Sequence, residues 1–305
     1  MKHQFLTLIF GLSLAFACRE KTENQAETPL AEQQLRFEIY DSLVVDYLGN
    51  LYLADISKNS SNFILIDQQT DTLLIVNPTG QILSKFSKKG DGPGLYQPSR
   101  LGSPQFFTND QIIIPSMKGF HIYDSEGNPI RTFLPEFNPT ISLINPFDNK
   151  IIQHEEKIYY PWEGRLADSL GVDGKALQQA LKKLEVLDLN TGKFSPALPI
   201  PSTSKYKSTE KSYLNINYTV SLSQRSDTLF LSFRNEPVIY SYAFSDLENP
   251  TATQKIPFPE FIERDGKEEV KFGAYEMKDI YVGGINSFQA TEKNRFLISY
   301  TRGLT

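Results

Sequence analysis

Thr72-Leu-Leu-Ile-Val-Asn-Pro-Thr-Gly-Gln-Ile-Leu-Ser-Lys-Phe86 and Gly119-Phe-His-Ile-Tyr-Asp-Ser-Glu-Gly-Asn-Pro-Ile-Arg-Thr-Phe133 are two versions of one unit. Each reads as strand, turn, strand. The apolar and β-branched residues favour extended backbone. In the first turn Pro78 presets one φ and Gly80 is free to take positive φ. Gly80 and Gly127 lie 47 residues apart, and so do Phe86 and Phe133.

The unit recurs. Leu184-Glu-Val-Leu-Asp-Leu-Asn-Thr-Gly-Lys-Phe194 is a third copy, with Gly192 65 residues after Gly127; the excess marks an insertion. A looser fourth copy begins at Val238, enlarges its turn over 245–253 and resumes at 254–258. A further short strand precedes each copy, at 62–66, 111–114, 157–160 and 227–233. Several short strands per repeat of about 45 residues predict propeller blades. A β-sandwich would not repeat a strand–turn–strand unit at fixed spacing. The expected fold is all-β, a six-bladed β-propeller over 35–305. The last strand, at 294–300, is expected to open a blade whose remainder is missing. Residues 173–184 predict a helix, with Asp173 as N-cap and Ala176, Leu177, Ala180, Leu181 and Leu184 on one face.

The first residues give an address. Met1-Lys2-His3 is basic, 5–16 is almost unbroken apolar, and Ala17 precedes Cys18, the one cysteine. Roughly 12 apolar residues fall short of the about 20 needed to span a bilayer, so 1–17 reads as a secretory signal. The Ala17-Cys18 junction resembles the lipobox of bacterial lipoproteins, which implies acylation of Cys18. Residues 18–34 are polar and rich in Glu, Gln, Lys and Thr, the composition of a flexible tether.

The run Phe86-Ser-Lys-Lys-Gly-Asp-Gly-Pro-Gly-Leu-Tyr96, after the first hairpin, resembles a linker of the six-bladed propeller lipoproteins of Bacteroidota, an uncharacterised NHL/TolB-like branch. Tyr281-Val-Gly-Gly-Ile-Asn-Ser-Phe288 and Leu297-Ile-Ser-Tyr-Thr-Arg-Gly303 are similar to the same branch. The resemblance covers nearly the whole chain. It implies an outer-membrane lipoprotein of the cell envelope, periplasmic or surface-exposed, and supplies no catalytic residues.

Composition excludes several chemistries. With Cys18 acylated, no thiol remains for disulfides, zinc–thiolate sites or thiol catalysis. Net charge is −5 with no basic stripe for nucleic acid. Of three histidines, His3 leaves with the signal, His121 reads as a strand residue on a blade face, and His154 lacks further ligands. No calcium loop, sialidase box or phosphate loop is present, so neither metal nor cofactor is expected. Tyr159, Tyr160, Trp162 and Arg165 form the densest aromatic–cationic cluster, the residue types that concentrate binding energy. Trp162 is expected to be partly exposed at one mouth under the 173–184 helix. Asp-Ser/Thr-aliphatic triplets at 41–43, 71–73, 168–170 and 227–229 resemble O-glycosylation acceptors of periplasmic Bacteroidota proteins. The expected function is a binding module for an envelope protein, peptide or glycan. The alternatives are a glycan-directed hydrolase or lyase using carboxylates in the funnel, and a structural subunit of an outer-membrane complex.

Overall fold

The computed structural model describes residues 38–96, 100–108, 110–139, 148, 150–162, 164–171, 173–270, 276–292 and 295–304. The signal, Cys18 and the tether lie outside them. The chain divides into Met1–Ser42 and Leu43–Thr305. Of the first unit, residues 38–42 are described and carry neither helix nor strand. No described helix is long and apolar enough to cross a membrane.

The second unit is built from small antiparallel sheets, each made of strands consecutive in the chain. The first holds β1 (Leu51–Ile56), β2 (Phe63–Asp67), β3 (Thr72–Val76) and β4 (Ile82–Phe86) in that order. The second holds β5 (Gln105–Thr108), β6 (Gln111–Pro115), β7 (Phe120–Asp124) and β8 (Pro129–Phe133). The third holds β9 (Ile152–His154), β10 (Lys157–Tyr160), β11 (Lys182–Asp188) and β12 (Phe194–Pro199), and the fourth β13 (Val220–Arg225), β14 (Thr228–Phe233), β15 (Val238–Ala243) and β16 (Ala252–Lys255). A two-stranded sheet, β17 (Gly284–Ala290) and β18 (Phe296–Thr301), follows.

Side-chain alternation along each strand gives the blades two apolar faces, and successive blades bury facing ones against each other, while Leu65, Leu74 and Val76 on the other face of the first sheet pack on Val45 and Tyr47. Ile64, Ile66 and Leu73 of the first sheet meet Ile112, Ile114 and Tyr123 of the second. Ile113, Phe120 and Ile122 on the opposite face meet Ile158, Tyr160 and Phe194 of the third. Tyr159 and Val186 meet Leu222, Leu229 and Tyr240 of the fourth, and Phe230 and Ile239 meet Ile285 and Phe288 of the fifth. This sequential face-to-face packing is a β-propeller arrangement. Four four-stranded blades and one two-stranded sheet are formed among the described residues, where six blades were expected. The strand expected to stand alone at 294–300 is β18, which pairs with β17.

The packing explains the repeat. The turn glycine of the second and of the third blade seats the phenylalanine that ends the blade before it. Gly127, at φ +85°, lies against the Phe86 ring, where a Cβ would stand 2.5 Å from Cγ. Gly192, at φ +72°, lies against Phe133. Each turn is also closed by the Asn or Asp that ends or follows the third strand. Asn77 Oδ1 accepts from the Thr79 and Gln81 N–H groups, and Asp124 Oδ1 from those of Glu126 and Asn128. Asp188 does the same with Asn190 and Thr191, and Asp246 with Glu248 and Asn249.

The expected 173–184 helix is shorter and has company. Helix α1 (Ala167–Leu170) precedes α2 (Lys175–Ala180). The N-cap of α2 is Gly174, not Asp173, and Leu184 belongs to β11. Strand pairing from Lys182 to Pro199 overrides the helical periodicity. Helix α2 turns Leu177 and Gln178 inward. Gln178 donates to the Tyr206 carbonyl at 2.7 Å and accepts from the Tyr213 N–H at 3.0 Å, so an amide takes a place that apolar patterning leaves unread.

Candidate functional site

The first strands of the five sheets converge on one cavity of about 300 Å³. β1 contributes Asp55 and Ile56, β5 Gln105, Phe106 and Phe107, β9 Ile152 and Gln153, β13 Ser223 and Gln224, and β17 Gln289; Lys58, Ile113, Lys150 and Ile151 complete the wall. Placement on the innermost strands makes this the axial cavity. Its lining is rich in amides, with aromatic and aliphatic surface beside them.

Several of these polar groups join one blade to the next. Asp55 accepts from the Phe106 N–H at 2.7 Å, and Gln105 from the Ile151 N–H at 2.6 Å. Ser223 accepts from the Ala290 N–H at 2.8 Å. Lys150 donates to the Phe288 carbonyl at 3.0 Å and to Gln289 Oε1 at 3.2 Å. Behind it Asp148, 5% exposed, accepts from the Phe288 N–H and lies 3.6 Å from Lys150 Nζ. These bonds satisfy inward backbone groups that no strand ladder reaches. Burial pushes both carboxyls up: Asp55 against the pull of the Phe106 and Ile56 N–H groups, Asp148 against that of Lys150.

Gln153, Gln224 and Lys58 also line the cavity, beside Phe107. An amide offers two donors and an acceptor, so this set can hold neutral polar groups such as hydroxyls and peptide units. Glycoside cleavage by acid–base chemistry uses two carboxyls across the scissile bond. The cavity wall carries one, Asp55, among the described residues, and its Oδ2 is engaged by a backbone N–H.

The aromatic–cationic cluster read from sequence is not brought to one surface. Tyr159 and Tyr160 are adjacent in β10 and point to opposite faces. Tyr159 packs toward the fourth blade with Phe244, ring centroids 4.9 Å apart. Tyr160 is fully buried toward the second and donates to the Leu101 carbonyl at 3.2 Å. Trp162, expected at a mouth, is 1% exposed. It sits among Phe120, Phe137, Tyr160 and Phe194, with centroid distances of 5.1 to 6.0 Å. Neighbours contributed by the second blade and by distant strands bury it. Arg165 makes two parallel 2.8 Å bonds to Glu185 and lies over the Phe137 ring at 4.5 Å. Burial pushes the Glu185 carboxyl up while Arg165 pulls it down.

The other candidates have structural partners. His121, in β7, is buried with Nε2 3.0 Å from Ser116 Oγ, and burial pushes its imidazole down to about 4. His154 stacks on Phe244 at 3.9 Å. Of the Asp-Ser/Thr triplets, Thr72 is buried in β3 and accepts from the Thr70 hydroxyl, whereas Ser169 is exposed on α1. The residues that sequence reading missed are those of the axial wall. An inward amide on a first strand leaves the same trace in sequence as an outward one.

No protein-family model matches the chain, and no curated protein matches it. Solved structures do. One is a member of the DUF4221 family from Bacteroides vulgatus: 14% identity, 72% of this chain and 61% of that one, TM-score 0.46. Another is a protein of Bacteroides fragilis thought to be exported: 16% identity, 70% and 52%, TM-score 0.38. A third is BamB from Moraxella catarrhalis: 13% identity, 66% and 62%, TM-score 0.33. The chain thus spans less than two thirds of the length of each.

Proposed function

We propose that this protein is a lipid-anchored propeller of the bacterial envelope that binds a neutral polar partner, a glycan or an exposed peptide segment, in its axial cavity. The observation that carries the reading is the cavity wall. Four of the five inner strands supply an amide beside aromatic surface, and the carboxylates near it are engaged in holding blades together. The lipobox-like Cys18 and the polar stretch 18–34 support the anchor and the outer-membrane address. The resemblance to Bacteroidota propeller lipoproteins supports a six-bladed ring, in which the four blades and the β17–β18 pair are five members. Glycan cleavage is the weaker reading, because the wall presents a single carboxyl among the described residues.

The test uses the Cys18→Ser protein, which should leave the membrane fraction for the soluble one. Titration calorimetry with end-capped neutral peptides and with neutral hexosamine oligosaccharides then reads the cavity. Saturable binding that falls at least tenfold in Gln153→Ala/Gln224→Ala supports the proposal. Binding unchanged in that double variant, or none at millimolar probe, rules out the axial site.

A further inference from the structure

The axial cavity has a floor, and the third blade supplies it. Asp148 and Lys150 precede β9 in the chain, yet their partners lie on the inner strands of the fourth and fifth sheets. Asp148 accepts from the Phe288 N–H of β17 at 3.2 Å and from the Ser221 hydroxyl of β13. Lys150 donates to the Phe288 carbonyl at 3.0 Å and to Gln289 Oε1 at 3.2 Å. The two side chains thus engage the N–H and the carbonyl of one β17 residue, as a neighbouring strand would, and they lie inside the ring of inner strands. The wall begins directly beyond them. Ser223 and Gln224 follow Ser221 along β13, and Gln289 follows Phe288 along β17. Asp55 and Ile56 are the last two residues of β1. Lys150 is therefore the floor, and the mouth faces the hairpins that follow the inner strands, where Lys58 is exposed.

That floor offers no spare charge. The Lys150 ammonium has three N–H groups; Phe288 and Gln289 accept from two, and the Asp148 carboxylate lies 3.6 Å from Nζ. Gln289 in turn donates to the Ala290 carbonyl at 3.1 Å. A free peptide terminus carries a charge, which is costly to bury without a counter-charge. The end of a neutral sugar chain carries hydroxyls. The cavity, about 300 Å³, stands at the lower limit for pockets that take a whole small ligand, so it has room for the last unit or two of such a chain.

We propose, on the strength of the axial-site reading above, that this cavity is a socket for the end of a neutral glycan. The terminal sugar enters from the hairpin side and stops on the Lys150 floor, and the rest of the chain stays outside the mouth. An interior stretch of the same glycan does not fit.

The Cys18→Ser protein is titrated by calorimetry with linear N-acetylhexosamine oligosaccharides of increasing length, from disaccharide to hexasaccharide, and with a tetrasaccharide carrying a bulky aromatic substituent at both ends. Affinity should stay within about threefold across the lengths, since units outside the mouth bury no further surface. Blocking both ends should weaken binding at least about tenfold, the scale of one or two hydrogen bonds left unmade. Equal binding of the blocked and unblocked tetrasaccharides, or affinity that climbs steadily with length, overturns the socket. If that binding is still lost in Gln153→Ala/Gln224→Ala, the axial site stands without it. Binding of end-capped neutral peptides in place of the oligosaccharides also keeps the axial site and overturns the glycan end. No binding of any of these probes overturns both.

Discussion

Gly127→Ala tests the interlock that sets the blade period. Two costs add at this position. The backbone is at φ +85°, and a side chain there costs about 1–2 kcal/mol relative to glycine. The new Cβ would also stand 2.5 Å from Phe86 Cγ and 2.8 Å from both Cδ atoms. Phe86 ends β4 and packs in the core between the first two blades, so the ring cannot swing into solvent. Overpacking of this kind costs about 1–3 kcal/mol. The expected loss is therefore about 2–5 kcal/mol by urea denaturation. Gly192→Ala supplies the control: it is the equivalent turn glycine of the third blade, φ is +72°, and its Cβ would stand 3.5 Å from Phe133, an ordinary contact, so the loss should be the backbone part alone. In a Phe86→Ala background the collision disappears, and Gly127→Ala should fall to the cost seen at Gly192. Equal costs at Gly127 and Gly192 in the otherwise unaltered protein, or an undiminished cost after Phe86→Ala, would refute the interlock.

Trp162→Ala should lower stability by about 3–5 kcal/mol, the scale of a large aromatic lost from a core; a loss under about 1 kcal/mol, the range of ordinary surface changes, would contradict its burial. The buried His121 binds its proton more weakly folded than unfolded, with its imidazole held down to about 4 from 6.5. The unfolded chain then binds more protons in that window, so stability is present above pH 6.5 and is lost as pH falls towards about 4. His121→Gln should remove that part of the acid limb, and urea midpoints that fall in parallel for both proteins between pH 7 and 4 would count against it.

What the sequence made legible follows from what is local. Asn77, Pro78 and Gly80 announce a turn by their own backbone preferences, and the 47-residue spacing of Gly and Phe is the imprint of a contact repeated between successive blades. Strands β2, β3, β6, β10 and β14 lie where alternation placed them. The helix was overextended because Leu181 and Leu184 keep a helical spacing while the chain has already entered β11. Trp162 was misplaced for the opposite reason. An aromatic–cationic run looks like a binding surface until Phe120 and Phe194, far away in the chain, close over it. The axial residues gave no signal at all: Gln105 and Gln153 look like solvent-facing strand amides, and only the convergence of five first strands turns them inward.

That convergence also bears on why a binding site is found where blade-to-blade bonds are made. An inner strand pairs on one side only, so its other edge presents N–H groups to the axis. Phe106, Ile151, Phe288 and Ala290 are such groups, and Asp55, Gln105, Asp148 and Ser223 accept from them. The same bonds fix the inner strands in place, and a wall fixed in advance spares an incoming partner the cost of ordering it. Asp55 illustrates the division of labour. Burial works against its charge, and the Phe106 N–H works for it. Asp55→Asn removes the charge and can keep the acceptor, so at neutral pH it should leave stability equal or raised. Its effect on binding should be small if Gln153 and Gln224 hold the partner. A large loss of stability at neutral pH would show instead that the ionised carboxylate itself is what joins the first two blades.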